Sequence, residues 1–107
     1  MAFEVFLSEE AERDIEDLYR FIAQHDSIEH ADKLLLSLED LCRGLEEFPE
    51  RGNVPKELAP LGMAEFREVH FKPYRVIYRL TGSRVIVYCV VDGRRDMRSF
   101  LQRRILR

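Results

Sequence analysis

The chain has 107 residues, of which 46% are hydrophobic and 35% are charged, and its formal net charge is −3 at neutral pH. This length and composition predict one soluble globular domain spanning residues 1–107. The sequence contains neither an apolar run long enough to span a bilayer nor a secretory signal pattern, so we expect a cytoplasmic protein without a membrane partner.

The first half of the chain predicts a strand followed by two helices. Residues 3–7 form a β-rich run, and Ser8 then offers an N-cap for a helix that ends near residues 24–25. Residues 26–29 resemble a capping box in which Asp26 caps a second helix, and this helix stops before Pro49. Both helices carry an apolar stripe and the connection between them is very short, which predicts an antiparallel helical hairpin.

The second half predicts a loop, an antiparallel meander and a short C-terminal helix. Residues 49–63 are rich in proline and glycine, and a short turn is expected around residues 56–58. Three strands follow at about residues 65–71, 74–80 and 84–91, and Gly82-Ser83 fits a type II′ turn that places Thr81 opposite Arg84. Residues 97–106 form a short basic helix or an extended tail that can dock on the sheet edge. The predicted fold class is therefore α+β.

Strict alternation assigns the second hairpin to two faces. One face is wholly apolar and is expected to pack on the helices, whereas the opposite face carries arginines. The apolar face comprises Tyr74, Val76, Tyr78, Leu80, Val85, Val87, Cys89 and Val91, and the opposite face comprises Arg75, Ile77, Arg79, Ile86, Tyr88 and Val90.

The first hairpin, around residues 72–73, allows two registers. A two-residue loop turns Arg67 toward the helices. A three-residue loop places Arg67 beside Arg75 and Arg79, and it turns His70 inward. We favour the three-residue loop, because an arginine buried without a partner costs far more free energy than one placed beside an anion site.

Positive charge is concentrated in the second half of the chain. Residues 1–60 carry 6 Lys/Arg and 16 Asp/Glu, whereas residues 61–107 carry 11 Lys/Arg and 4 Asp/Glu. Ten of those 11 cations are arginines, which favour planar, bidentate contacts with phosphates or carboxylates. We therefore expect a surface that binds a polyanion or an acidic partner, formed by Arg67, Arg75, Arg79, Arg94, Arg95 and Arg98. The alternative is a set of scattered surface arginines on a solvated sheet face.

Candidates for other chemistry are few. His70 near arginines fits a general base, although a lone strand histidine is more often structural. Tyr88 is the other side chain able to transfer a proton near the arginines. Cys42 and Cys89 are too few for a disulfide framework or a CxxC metal site, and we expect no metal and no cofactor.

The order of these elements and three short motifs resemble the RelE/ParE superfamily of type II toxin–antitoxin toxins. The motifs are Phe66-Arg67-Glu68, Tyr74-Arg75-Val76-Ile77-Tyr78-Arg79 and Val90-Val91-Asp92-Gly93-Arg94-Arg95-Asp96. The resemblance covers essentially the whole chain. It implies a plasmid-stabilisation-type toxin that inhibits growth and is neutralised by a cognate antitoxin in a hetero-oligomer.

The resemblance also implies one of two targets. RelE-like members cut mRNA on the ribosome with basic residues and a C-terminal tyrosine or histidine, whereas ParE-like members poison DNA gyrase without nuclease chemistry. Arg75 and Arg95 match arginines that the nucleases use on the phosphate, and Arg67 falls near a basic strand position of those enzymes. Where the C-terminal acid/base is expected, this chain has Phe100-Leu101, and neither side chain can transfer a proton.

This departure favours a ParE-like toxin that binds its target and is not an enzyme. The alternative is a RelE-like mRNA endonuclease with a variant site, in which Arg75 and Arg95 stabilise the phosphate and His70 or Tyr88 handles protons. A third interpretation is an interaction domain without activity. In each case we expect an acidic, amphipathic C-terminal antitoxin segment to lie across the helical hairpin or to extend an open sheet edge, with its acidic groups meeting the arginines.

Overall fold

The computed structural model describes residues 2–106 and confirms the predicted α+β class. The sheet has four strands in the order β1-β4-β3-β2, in which β1 is parallel to β4 and the other neighbours are antiparallel. Within the described residues, no helix has the length and apolarity needed to cross a bilayer. The elements are β1 (Glu4–Leu7), α1 (Glu9–His25), α2 (Ile28–Glu47), a 3₁₀ turn (Ala59–Leu61), β2 (Phe66–Phe71), β3 (Tyr74–Thr81), β4 (Arg84–Asp92) and α3 (Met97–Arg104).

The helix caps explain where α1 and α2 begin. Ser8 Oγ accepts from the backbone N–H of Ala11 at 3.1 Å, as predicted for the N-cap of α1. The cap of α2 is Ser27 and not Asp26, and Ser27 Oγ accepts from the backbone N–H of His30 at 3.1 Å. Asp26 is one residue too early because its own N–H still bonds to the carbonyl of Ile22 and closes α1.

The main core lies between the helical hairpin and one face of the sheet, here called the inner face. The apolar stripes of both helices contribute to it, which confirms their predicted orientation. Burial of such side chains contributes about 1.5–3 kcal/mol each relative to exposure. Its fully buried or nearly buried members are Ala11, Leu34, Leu38, Leu45, Val69, Val76, Tyr78, Val85, Val87 and Val90.

The pairing of β3 with β4 contains a β-bulge. Ile77 lies opposite Cys89 and Tyr78 lies opposite Val87, which leaves Tyr88 as the extra residue. Beyond the bulge, the alternation of β4 is reversed relative to the strict pattern. That pattern was therefore wrong for three residues. Cys89 and Val91 lie on the outer face of the sheet, and Val90 lies on the inner face.

The outer face of the sheet carries a second core instead of open solvent. Helix α3 packs its buried Met97, Phe100 and Leu101 against apolar side chains of β2, β3 and β4, and Leu58 from the preceding loop joins them. Docking of the C-terminal segment on the sheet edge was therefore wrong. The bulge explains the difference, because it gives the outer face enough apolar surface to bury α3.

The first hairpin uses the two-residue loop, so the favoured register was wrong. Phe71 pairs with Tyr74 and Arg67 lies opposite Tyr78, on the inner face. Residues 72–73 form the loop, and the peptide bond between them is cis. Arg67 tolerates this position because its guanidinium donates to two backbone carbonyls of the preceding loop, at 3.1 and 2.8 Å. His70 consequently lies exposed on the outer face instead of turning inward.

Candidate functional site

Arg75 sits at the centre of the predicted anion-binding face, but two carboxylates already hold it. Its Nε donates to Glu68 Oε1 at 2.5 Å, and its two terminal nitrogens donate to the two oxygens of Glu57 at 3.0 and 2.8 Å. The three side chains are only 11%, 4% and 12% exposed, in the order Arg75, Glu68 and Glu57. We call these two glutamates the carboxylate clamp, and they satisfy the guanidinium on both of its edges.

The clamp is built from distant parts of the chain. Glu68 comes from β2, and its second oxygen accepts from Asn53 Nδ2 at 3.2 Å. Glu57 comes from the loop that precedes the 3₁₀ turn. Hydrogen bonds from Arg75 lower the pKa of Glu57, and the same bonds raise the pKa of Arg75 above its usual range. Both carboxylates therefore compete with any phosphate for Arg75.

The two candidate proton-transfer residues lie in different surroundings. His70 Nε2 is 3.3 Å from Glu68 Oε1, and the imidazole is about half exposed on the outer face beside Arg75. The Tyr88 ring packs edge-on against Phe66, with 5.6 Å between ring centroids, and belongs to the outer core. Phe100, which stands where a C-terminal acid/base is expected, is 6% exposed.

The remaining predicted arginines do not share one face. Arg79 is exposed on the outer face of β3, whereas Arg67 points to the inner face. Arg94 is exposed but pairs with Asp92 through two hydrogen bonds of 3.0 and 2.6 Å. The guanidinium carbon of Arg95 lies 4.9 Å from the centroid of the Phe100 ring. Arg98 projects from α3 toward the 56–61 segment. The arginines expected on one surface therefore occupy several.

Sequence reasoning missed an ionic contact that fixes α3. Arg104 donates to both oxygens of Asp14 in α1, at 2.9 and 2.8 Å, and also to the carbonyl of Tyr88. Asp14 in turn accepts from the backbone N–H of Val90 at 3.0 Å, where β4 extends beyond its pairing with β1. No local pattern in the sequence could reveal a partner 90 residues away.

The opposite side of the molecule presents an apolar groove on the helical hairpin. A depression of about 480 Å³ lies between α1 and α2, and a second one of about 280 Å³ continues toward β1. Ile15 and Leu35 line both depressions, and Leu7 of β1 lines the second. Leu7 and Leu35 are 38% and 37% exposed. We call this the helical groove.

Comparisons with known proteins agree with this architecture. The family model described as ParE toxin of the type II toxin–antitoxin system parDE matches residues 5–97. Toxin ParE3 of Caulobacter vibrioides is 28% identical over 88 residues, which cover 82% of this chain and 84% of ParE3.

Solved structures show the same fold at low sequence identity. A chain of the chromosomal ParDE system from P. aeruginosa superposes with a TM-score of 0.67 at 14% identity, covering 85% of this chain and 96% of that one. A chain of the RelBE2 toxin–antitoxin complex from Mycobacterium tuberculosis gives 0.61 at 20% identity, covering 86% and 92%. A mutant of the E. coli toxin RelE in the free state gives 0.53 at 17% identity, covering 94% and 93%. With the family model matching most of its length, this chain belongs to the ParE toxin family of type II toxin–antitoxin systems.

Proposed function

We propose that this toxin acts by binding its target and does not cut RNA. The observation that carries the proposal is the carboxylate clamp, because it neutralises Arg75, the residue that a nuclease would need for the scissile phosphate. A phosphate would have to displace two charge-assisted contacts in a nearly buried site, and replacing such contacts is unfavourable. The buried Phe100-Leu101 pair supports the same reading, since neither side chain transfers protons.

The target we propose is DNA gyrase, from membership of the ParE family. The test is a supercoiling assay with purified gyrase and relaxed plasmid, run beside a ribosome-dependent mRNA cleavage assay. We expect the toxin to inhibit supercoiling or to trap cleaved DNA, and to leave mRNA intact. Normal supercoiling at saturating toxin, together with mRNA cleavage, would refute the proposal.

The cognate antitoxin is the second partner, and we propose that its C-terminal segment occupies the helical groove and extends the sheet along β1. The β2 edge is blocked, because Asn53 exchanges two backbone hydrogen bonds with Glu68 at 3.2 and 2.7 Å. Within residues 2–106, the outer edge of β1 pairs with no other strand. An extended peptide can therefore pair there while its apolar side chains reach Leu7 and Leu35.

The charge around the helical groove changes the expected chemistry of that segment. Helices α1 and α2 together contain 12 Asp/Glu and 4 Lys/Arg, so a segment in the groove is best matched by basic flanks. Arg20 is the cation in the lining of the groove, and it already pairs with Asp17 at 3.7 Å, so acidic groups of the antitoxin would find few partners there. Leu35→Asp should weaken antitoxin binding by at least about tenfold, because it places a charge in an apolar contact. Ile28→Asp, equally apolar and more exposed but away from the groove, is the matched control.

One observation favours a second candidate function, RNA cleavage. His70 has a carboxylate partner in Glu68, and this pair lies beside Arg75, so a base and its orienting group are both present. In this alternative the toxin is a RelE-like mRNA endonuclease with His70 or Tyr88 transferring protons. If His70→Ala and Tyr88→Phe both leave any observed cleavage intact, that assignment fails.

A further inference from the structure

The cleft between the 56–61 segment and α3 has features of a binding site that the clamp and the helical groove do not use. Its volume is about 280 Å³, and its apolar lining comes from both walls, chiefly Leu58 and Leu101. Leu58 and Leu101 are 0% and 1% exposed, so they form a firm floor. Leu61 at the mouth is 58% exposed, which leaves a large apolar side chain without cover.

The rim of this cleft is cationic. Lys56 lies on one wall and Arg98 on the other, and both are exposed. Within residues 2–106 neither side chain has an ion-pair or hydrogen-bond partner. Glu57 also lines the cleft and lies close enough to Lys56 to interact with its charge, but both of its oxygens accept hydrogen bonds from Arg75. Within the described residues, two cations without a hydrogen-bonded carboxylate therefore stand at the rim of an apolar cleft.

The clamp explains why the cleft keeps its shape. Arg75 binds Glu57 with two hydrogen bonds, which anchors the 56–61 segment to β3. On the other side, the capped N-terminus of α3 is fixed by Asp96, which accepts from Ser99. A preorganised wall on each side lowers the entropy cost of binding.

We infer that this cleft is the surface with which the toxin holds its protein target, and that it binds an acidic segment carrying one leucine-sized apolar side chain. The carboxylates would pair with Lys56 and Arg98 while the apolar side chain covers the exposed Leu61. The lining has no aromatic ring on which a base could stack, which disfavours a single-stranded nucleic acid. The helical groove lies on the other side of the sheet and shares no lining residue with this cleft. The inference rests on the proposed binding function.

The test is a double charge reversal, Lys56→Glu with Arg98→Glu, measured in growth arrest, gyrase inhibition and antitoxin affinity. We expect the concentration for half-maximal supercoiling inhibition to rise by at least about tenfold, because the steering charge is reversed. Lys33→Glu with Lys72→Glu makes the same change in net charge at exposed positions away from the cleft, and should stay within about twofold of wild type. Leu61→Asp should also weaken inhibition, whereas Leu36→Asp, at a residue 61% exposed on α2, should not.

The outcomes separate the two proposals. Unchanged growth arrest by the cleft double variant, with its folding confirmed by circular dichroism, would overturn the cleft assignment. Loss of antitoxin affinity with unchanged arrest would overturn it too, since the cleft would then belong to the antitoxin. If wild-type toxin leaves gyrase active but arrest still depends on Lys56 and Arg98, the gyrase proposal fails and the cleft stands.

Discussion

Replacing Arg75 with methionine should strongly destabilise the fold. The change removes three hydrogen bonds and leaves Glu68 and Glu57, which are 4% and 12% exposed, without their cation. Removing one partner from a buried ionic network typically costs about 3–5 kcal/mol. With a urea slope near 2 kcal/mol/M, the unfolding midpoint should fall by about 1.5–2.5 M. Arg79→Met, on the same strand but exposed and unpaired within residues 2–106, should change stability by less than about 0.5 kcal/mol.

The pH dependence provides an independent check. Arg75 lowers the pKa of Glu57 in the folded state, so the wild-type protein gains stability above the ordinary value of 4.5 and loses it as pH falls through the folded pKa. In the variant, Glu57 has already lost this cation, so a falling pH no longer removes that stabilising contact. The difference in unfolding free energy between wild type and Arg75→Met should therefore be larger at pH 7 than at pH 4. A variant as stable as wild type at pH 7, or a difference that grows on acidification, would refute the clamp as the anchor of this loop.

Three further predictions concern other parts of the molecule. Asp14→Asn should lower the unfolding free energy measured in urea by about 1–3 kcal/mol, because it weakens the hydrogen bonds to Arg104. A double-mutant cycle with Arg104→Met should show that the two effects are coupled, and strict additivity would contradict the contact. Gly52→Ala should cost about 1–3 kcal/mol by the same measurement, since its Cβ would lie 2.7 Å from the Tyr78 hydroxyl, and a neutral effect would contradict this close approach. Burial raises the pKa of the Cys89 thiol to about 12. Mass spectrometry should therefore find Cys89 unalkylated by iodoacetamide at pH 8 until urea unfolds the protein. Rapid labelling of the native protein would disprove its burial.

The helices could be predicted well because their determinants are local. Ser8 marks the start of α1, Pro49 marks the end of α2, and the spacing of apolar residues fixes the buried sides. The second hairpin was also predictable, since Gly82 has the positive φ of 60° that the expected turn needs and Thr81 lies opposite Arg84. Caps and turns act over a few residues, and a single sequence contains that information.

The sheet faces could not be predicted as well, because β4 is apolar at almost every position. A bulge at Tyr88 leaves no trace in such a run, since both the regular and the shifted alternation bury valines. The register at residues 72–73 failed for a different reason. Arg67 was expected to need a charged partner, yet two backbone carbonyls accept its hydrogen bonds at the end of an edge strand. Whether backbone carbonyls are placed to accept hydrogen bonds from an arginine depends on tertiary structure, so a single sequence does not reveal it.

Internal hydrogen bonding divides the described arginines of the second half into two sets with different consequences. Arg67, Arg75 and Arg104 are bound by carbonyls or carboxylates of the chain itself, so the folding of the domain already uses their hydrogen-bonding capacity. Such cations stabilise loops and helices but have little left for a ligand. Exposed cations remain available for recognition, and among the described residues Arg98 and Lys56 stand at the rim of an apolar cleft. An excess of arginine in sequence therefore indicates a binding surface only after the internally paired residues are subtracted. For this toxin, that subtraction moves the expected working surface from the centre of the sheet to the border between α3 and the 56–61 segment.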